Sequence, residues 1–185
     1  HAFVPHTHVH LTLPHACLAV ASCRDQEKIT KELFGDRVGW LPWKSPRIAL
    51  GLELRTICRE HPEYQGLLLG QHGLLNWAED DFECYELTLE LVEKASRYIE
   101  GRDRGEKTFG GQKYFPLDEG ERRAVLMEVM AWLRGQLSRQ NTFVATKQTD
   151  EDIQRFVNSN DAARLSEMGA SCSEYLVHTK YKPLY

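Results

Sequence analysis

Four histidines crowd the first fifteen residues: His6, His8, His10 and His15. Imidazole is the commonest metal ligand near neutral pH. In an extended strand, side chains two apart share a face, so His6 with His8, or His8 with His10, could reach one ion. The alternative is a surface segment that happens to be rich in histidine. A fifth residue of this kind is His72, followed by Gly73 and preceded by the wholly apolar run 66–70. A histidine at the carboxyl end of a buried strand stands where α/β folds place ligands. The glycine after it allows close approach of backbone or ligand. The competing reading is a core histidine bonded to a backbone carbonyl. Together, His72, His8 and His10 would form a three-imidazole zinc site with an open fourth position, the arrangement of catalytic zinc. Such an ion acts as a Lewis acid on a carbonyl oxygen. No catalytic acid, base or nucleophile can be named. Serine-hydrolase elbows, Walker loops and GxGxxG fingerprints are absent.

These residues need a scaffold, and the periodicity changes along the chain as an α/β fold requires. Residues 1–13 read as loop or strand. Pro14 opens a short buried helix over 16–21. Residues 25–34 form an amphipathic helix turned inward by Ile29 and Leu33, with Gly35 as its C-terminal cap. Residues 37–41 read as a strand. A helix should start at Ser45-Pro46 and run to Arg59, burying Leu50, Leu54, Ile57 and Cys58, until His61-Pro62 stops it. Residues 66–70 suit a central strand, and 74–77 continue as strand. Asp80 and Glu83 form a capping box for a long helix with the stripe Phe82, Tyr85, Leu89, Val92 and Ile99.

The segment 101–116 holds four glycines and many charges and reads as a linker. Asp118 and Glu121 cap a further helix with the stripe Leu126, Val129, Met130, Leu133 and Leu137. Residues 142–146 alternate like a strand. Residues 150–156 and 161–168 read as short helices, and 176–179 as a last strand. The organisation implied is a core over 1–100, the linker, and a C-terminal extension over 117–185.

The chain has 185 residues, enough for a real core, with a net charge of −4. That balance, with the basic residues dispersed, argues against nucleic-acid binding. No stretch approaches the roughly 18 apolar residues of a membrane span, and no secretory leader opens the chain. Five scattered cysteines (Cys17, Cys23, Cys58, Cys84, Cys172), none in a CxxC, point to core thiols in a reducing, cytoplasmic setting. The start at His1 and the ending 180–185 both read as the interior of a longer protein, truncated at its N-terminal side.

Several stretches carry a family resemblance. Leu67-Leu68-Leu69-Gly70-Gln71-His72-Gly73-Leu74, then Trp77 and Glu83-Cys84-Tyr85-Glu86, resemble the class II aldolase/adducin superfamily. Phe156-Val157-Asn158-Ser159-Asn160-Asp161-Ala162, Arg164-Leu165-Ser166, Leu176-Val177-His178-Thr179-Lys180 and Lys182-Pro183-Leu184 narrow it. They resemble the aldolase half of the bifunctional rhamnulose-1-phosphate aldolase/alcohol dehydrogenases, over essentially the whole chain.

The resemblance implies a three-layer α/β/α domain, usually a homo-oligomer and in that family a tetramer. It implies a zinc-dependent lyase that cleaves rhamnulose 1-phosphate, or a similar ketose 1-phosphate, to dihydroxyacetone phosphate and lactaldehyde. His72 matches the third zinc ligand. The other two ligand histidines, aligned on Pro14 and Ala16, fall on Leu11 and Leu13, and the family's acid falls on His15. Either that site is lost, or His8 and His10 substitute through a shifted strand with a local irregularity, because a shift of three residues reverses side-chain facing. The family's phosphate-binding loops and catalytic acid would lie before His1, and its dehydrogenase domain beyond Tyr185. Two other readings keep the fold: an adducin-like interaction module without zinc chemistry, and a related epimerase acting on another substrate.

Overall fold

A computed structural model describes every residue except His1, Arg139, Lys180, Tyr181, Leu184 and Tyr185. Lys180, whose charge reads as solvated with a phosphate contact as the alternative, therefore lies outside the described residues. In chain order the elements are β1 (His8–Thr12), α1 (His15–Ser22), α2 (Gln26–Phe34), β2 (Val38–Leu41), α3 (Ile48–Glu60), β3 (Gly66–Leu69), β4 (Gly73–Ala78), α4 (Asp81–Glu100), α5 (Glu119–Leu137), α6 (Glu151–Val157), α7 (Ala162–Ser166) and α8 (Ser173–Thr179). They fall into two compact units. The first comprises residues 1–103 with 168–184, and the second residues 104–167.

The first unit is a mixed α/β domain around a four-stranded sheet in the order β1-β4-β3-β2. β2 and β3 are parallel, joined across α3, while β4 runs antiparallel to both of its neighbours. The run 66–69 is buried at every position, because a strand covered on both faces has no place for a polar residue. Two cores flank the sheet, giving the three-layer α/β/α arrangement. On one face Cys17, Val20, Phe34, Leu68, Leu74 and Leu91 join α1, α2 and α4 to the sheet. On the other, Leu54 and Cys58 of α3 pack on Leu67, Leu69, Leu75 and Trp77. All five cysteines are free thiols and all but Cys23 are buried. Burial pushes the Cys17 thiol up to about 12, as suits a core hydrophobe.

Sequence periodicity locates most elements and misplaces some faces. Gly35 caps α2 at φ +63°, and Leu50 and Ile57 pack with Leu54 and Cys58 as expected. α3, however, begins at Ile48 after Arg47, which makes no side-chain cap; Ser45-Pro46 lies before it. α4 carries two apolar stripes, and the one that packs on the sheet is not the stripe expected from Phe82, Tyr85, Leu89, Val92 and Ile99. Cys84, Leu87, Thr88, Leu91 and Ala95 are buried, while Phe82, Tyr85, Leu89 and Ile99 are exposed and Val92 is half-buried. The buried stripe has the smaller residues, which lets α4 come close enough for Asn76 of β4 to donate to the Cys84 carbonyl at 3.0 Å. The Asp80 side chain accepts from the backbone N–H groups of Phe82 and Glu83 and so starts the helix.

The C-terminal strand predicted over 176–179 is the helix α8 instead, and Cys172 is buried just before it. Four residues alternating by type cannot hold a strand without a neighbouring edge to pair with.

In the second unit, Asp118 and Glu121 make the reciprocal capping box of α5. No α5 residue is buried within the described structure, so its expected stripe is half-covered at Leu126, Met130 and Leu133 and exposed at Val129 and Leu137. Residues 142–146 form no strand. Phe109 meets Phe156 edge to face at 5.2 Å, and Asn160 donates to the Gly110 carbonyl at 2.9 Å.

Candidate functional site around His72

The chain reverses between β3 and β4 over residues 70–72, where Gln71 adopts φ +58° and Gly73 φ +89°. A Cβ on Gly73 would lie closer to the Thr12 carbonyl oxygen than any real Cβ–O contact, and 3.1 Å from a methyl of Leu13. This turn is therefore held directly against the end of β1, and glycine is what permits it.

His72 is presented by that turn. Its Nε2 stands 2.8 Å from the Lys44 carbonyl oxygen and its Nδ1 3.2 Å from the Ser173 hydroxyl. A carbonyl only accepts, so Nε2 carries the hydrogen in its bond to Lys44. Trp43 stacks on the imidazole at 6.4 Å and 15°. The ring thus ties three separate stretches together: the β3–β4 turn, the loop before α3 and the start of α8. The carbonyl-bonded reading of His72 describes this environment. Ser173 lies 101 residues away along the chain, and nothing in the local sequence announces it as a partner.

A hollow of about 580 Å³ opens beside His72, walled by Phe3, Leu11, Leu13, Leu54 and Leu75, with Arg47 and Glu174 as its charged lining groups. The hollow lies on the α3 side of the sheet. Leu11 of β1 and Leu13, just past its end, both reach it, because residues two apart along an extended backbone share a face.

The same alternation sends His8 and His10 to the opposite face. His10 Nδ1 stands 2.9 Å from the Thr88 hydroxyl of α4, and Thr88 in turn donates to Asn76 Oδ1 at 3.0 Å. His8 pairs in register with Ala78 and His10 with Asn76. The structure therefore brings His72 together with Leu11 and Leu13, and does not bring His8 or His10 to it. His6 goes elsewhere again. It stacks on Trp77 at 5.4 Å and bonds Glu79 at 2.8 Å, which with Thr7 holds the Glu79 carboxyl below its ordinary range. His15 begins α1 and tilts against Tyr175 at 6.5 Å. His178 lies exposed on α8. Among the described residues, no three of His, Cys, Asp or Glu converge as a metal site needs. Leucine has no lone pair to offer, so the set His72, Leu11 and Leu13 does not fit zinc.

A second hollow of about 830 Å³ runs along the outer side of α4, with Trp77 and Leu89 among glutamates including Glu79, Glu83 and Glu86. At its edge the Arg37 guanidinium and the Lys94 ammonium hold the Glu90 carboxyl down at about 2. Glu83 and Glu86 lie in the stretch that carries the family resemblance, whereas no motif or spacing marks Glu79 or Glu90.

Comparison with known proteins bears on the whole chain. Residues 1–99 match the family profile of the class II aldolase and adducin N-terminal domain, and residues 124–185 match that of the aldolase class II second domain. The uncharacterized oxidoreductase YuxG of Bacillus subtilis is 34% identical over all 185 residues, and the chain spans 27% of that protein's length. Among solved structures, the N-terminal class II aldolase domain of a conserved protein from Thermoplasma acidophilum superposes with TM-score 0.49 at 25% identity, covering 54% of this chain and 45% of that one. YgbL from Klebsiella pneumoniae superposes with TM-score 0.40 at 21% identity, over 49% of this chain and 47% of that one.

Proposed function

Because the chain belongs to the class II aldolase and adducin family, we propose that it is part of the aldolase half of a bifunctional sugar-phosphate protein joined to an oxidoreductase portion. The parent substrate of that half is rhamnulose 1-phosphate or a similar ketose 1-phosphate, and the parent products are dihydroxyacetone phosphate and lactaldehyde. Two observations support this reading. The motif run from Phe156 to the end of the chain resembles that bifunctional group, and identity to an oxidoreductase extends over all 185 residues while covering only 27% of it. The setting is cytoplasmic and the assembly a homo-oligomer, with a tetramer as the family's usual form.

In such lyases zinc polarises the substrate oxygens. No step through zinc follows for this chain, because leucines stand beside His72 where imidazoles would be needed. That single observation favours the form of the reading in which the domain keeps the fold and serves as an adducin-like interaction and assembly module, without cleaving the sugar.

The test uses the longer protein in which this chain occurs. Ketose 1-phosphate binding is read from the shift in its thermal midpoint, and cleavage from dihydroxyacetone phosphate release in a coupled nicotinamide assay. A midpoint shift without release is the expected result. Release would restore the lyase reading, and neither signal would sink the assignment to sugar-phosphate chemistry.

A further inference from the structure

We infer that the hollow beside His72 is a metal-binding frame disabled at two positions alone, Leu11 and Leu13, and that histidines there would make it bind zinc through His72. The inference rests on the aldolase-family reading for the identity of the ion, and on this chain's geometry for everything else.

The frame is present. Positions 11 and 13 line the same hollow as His72. The close approach of Gly73 to Thr12 and Leu13 fixes the end of β1 against the turn that carries His72. The register Leu11↔Leu75 and Thr12↔Leu74 locks this part of β1 along β4, so a slip that brought His8 and His10 round would break the ladder. His10 is moreover engaged with Thr88 on the other side of the sheet.

The two leucines are not core residues. Leu11 is 49% exposed and Leu13 38% exposed, so replacing them removes little buried surface. A histidine at either position would keep the strand's facing while adding a ring nitrogen. His72 is already oriented by second partners, as metal-ligating histidines commonly are, and one of its two ring nitrogens would exchange its present partner for the ion.

The experiment measures zinc bound per chain by equilibrium dialysis and metal analysis, with circular dichroism to confirm folding. It compares the native chain, His72→Ala, Leu11→His/Leu13→His, and that double variant combined with His72→Ala. The native chain is expected to bind no zinc that depends on His72. The double variant should gain about one zinc per chain, lost again on His72→Ala. Cobalt substitution should give it the visible d–d bands of a tetrahedral site. If the double variant does not fold, Leu13→His alone carries the test through nickel binding that His72→Ala abolishes. Two results overturn the inference. One is a native chain that binds one zinc and loses it with His72→Ala. The other is a folded variant that gains no His72-dependent metal. Neither readout depends on sugar-phosphate turnover, so the metal inference can fail while the sugar-phosphate reading stands, and the reverse.

Discussion

Replacing Gly73 by alanine should be among the most damaging single-atom additions in the first unit, and Gly35→Ala provides its internal control. Both glycines have positive φ, +89° and +63°. An alanine in such a sparsely populated backbone region costs about 1–3 kcal/mol wherever it occurs. At Gly35 the added Cβ meets nothing within 4 Å, so that backbone cost is the whole effect. At Gly73 the same atom collides with the Thr12 carbonyl and presses on Leu13 at 3.1 and 3.2 Å. A normal carbon–oxygen contact of about 3.3–3.6 Å requires the end of β1 to move by roughly an ångström. That displacement weakens one or two hydrogen bonds of the β1–β4 ladder, each worth about 0.5–1.5 kcal/mol. The loss for Gly73→Ala is therefore expected to exceed the about 1–3 kcal/mol of Gly35→Ala by about 0.5–3 kcal/mol. Urea unfolding followed by far-ultraviolet circular dichroism measures both. Losses within about 0.5 kcal/mol of each other would refute the close approach, and with it the rigid placement of His72 beside positions 11 and 13.

Further changes separate the faces of α4 and the groups that join it to the sheet. Leu91→Ala removes a side chain only 1% exposed and should cost about 2–5 kcal/mol, whereas Leu89→Ala, 51% exposed, should stay within about 0.5 kcal/mol by the same denaturation measurement. Asn76→Ala removes the amide's bonds to the Cys84 carbonyl and the Thr88 hydroxyl, which still hold each other at 2.9 Å, and should cost about 1–3 kcal/mol, again read by urea unfolding. Glu90→Gln tests the pair with Arg37. The folded carboxyl is held down at about 2, so its stabilisation is full above the ordinary carboxylate range and is lost as pH falls towards 2. Both partners are more than 40% exposed, so solvent screening limits the effect at neutral pH to about 0.5–1 kcal/mol. Thermal unfolding across pH 2–7 should show native and variant curves converging at the acid end.

Much of the architecture is legible from composition and period. The unbroken apolar run 66–69, too short for a helix between its glycines, suits a strand covered on both faces, and Gly35 marks the end of α2 because few other residues tolerate its backbone. Asp80 and Asp118 announce the starts of α4 and α5 through local hydrogen bonds that need no tertiary partner. His72-Gly73 stands out as a candidate for the same reason: its features are local, a strand end and a permissive glycine.

What the fold alone decided are the matters that depend on which surface meets which. α4 offers two apolar stripes, and only packing against the sheet selects the one through Cys84, Leu87 and Leu91. α8 arises where four residues suggested a strand, since a strand needs a neighbouring edge and a helix closes its own hydrogen bonds. Ser173 and Lys44 reach His72 across 101 and 28 residues, distances at which spacing carries no information. The facing of β1 matters most for function. Sequence spacing made His8 and His10 a plausible pair of ligands, and a strand's alternation alone allows either parity to face the turn. The register with β4 settles it, turning His10 to Thr88 and leaving Leu11 and Leu13 beside His72, because a one-residue change of pairing would move every side chain to the other side of the sheet.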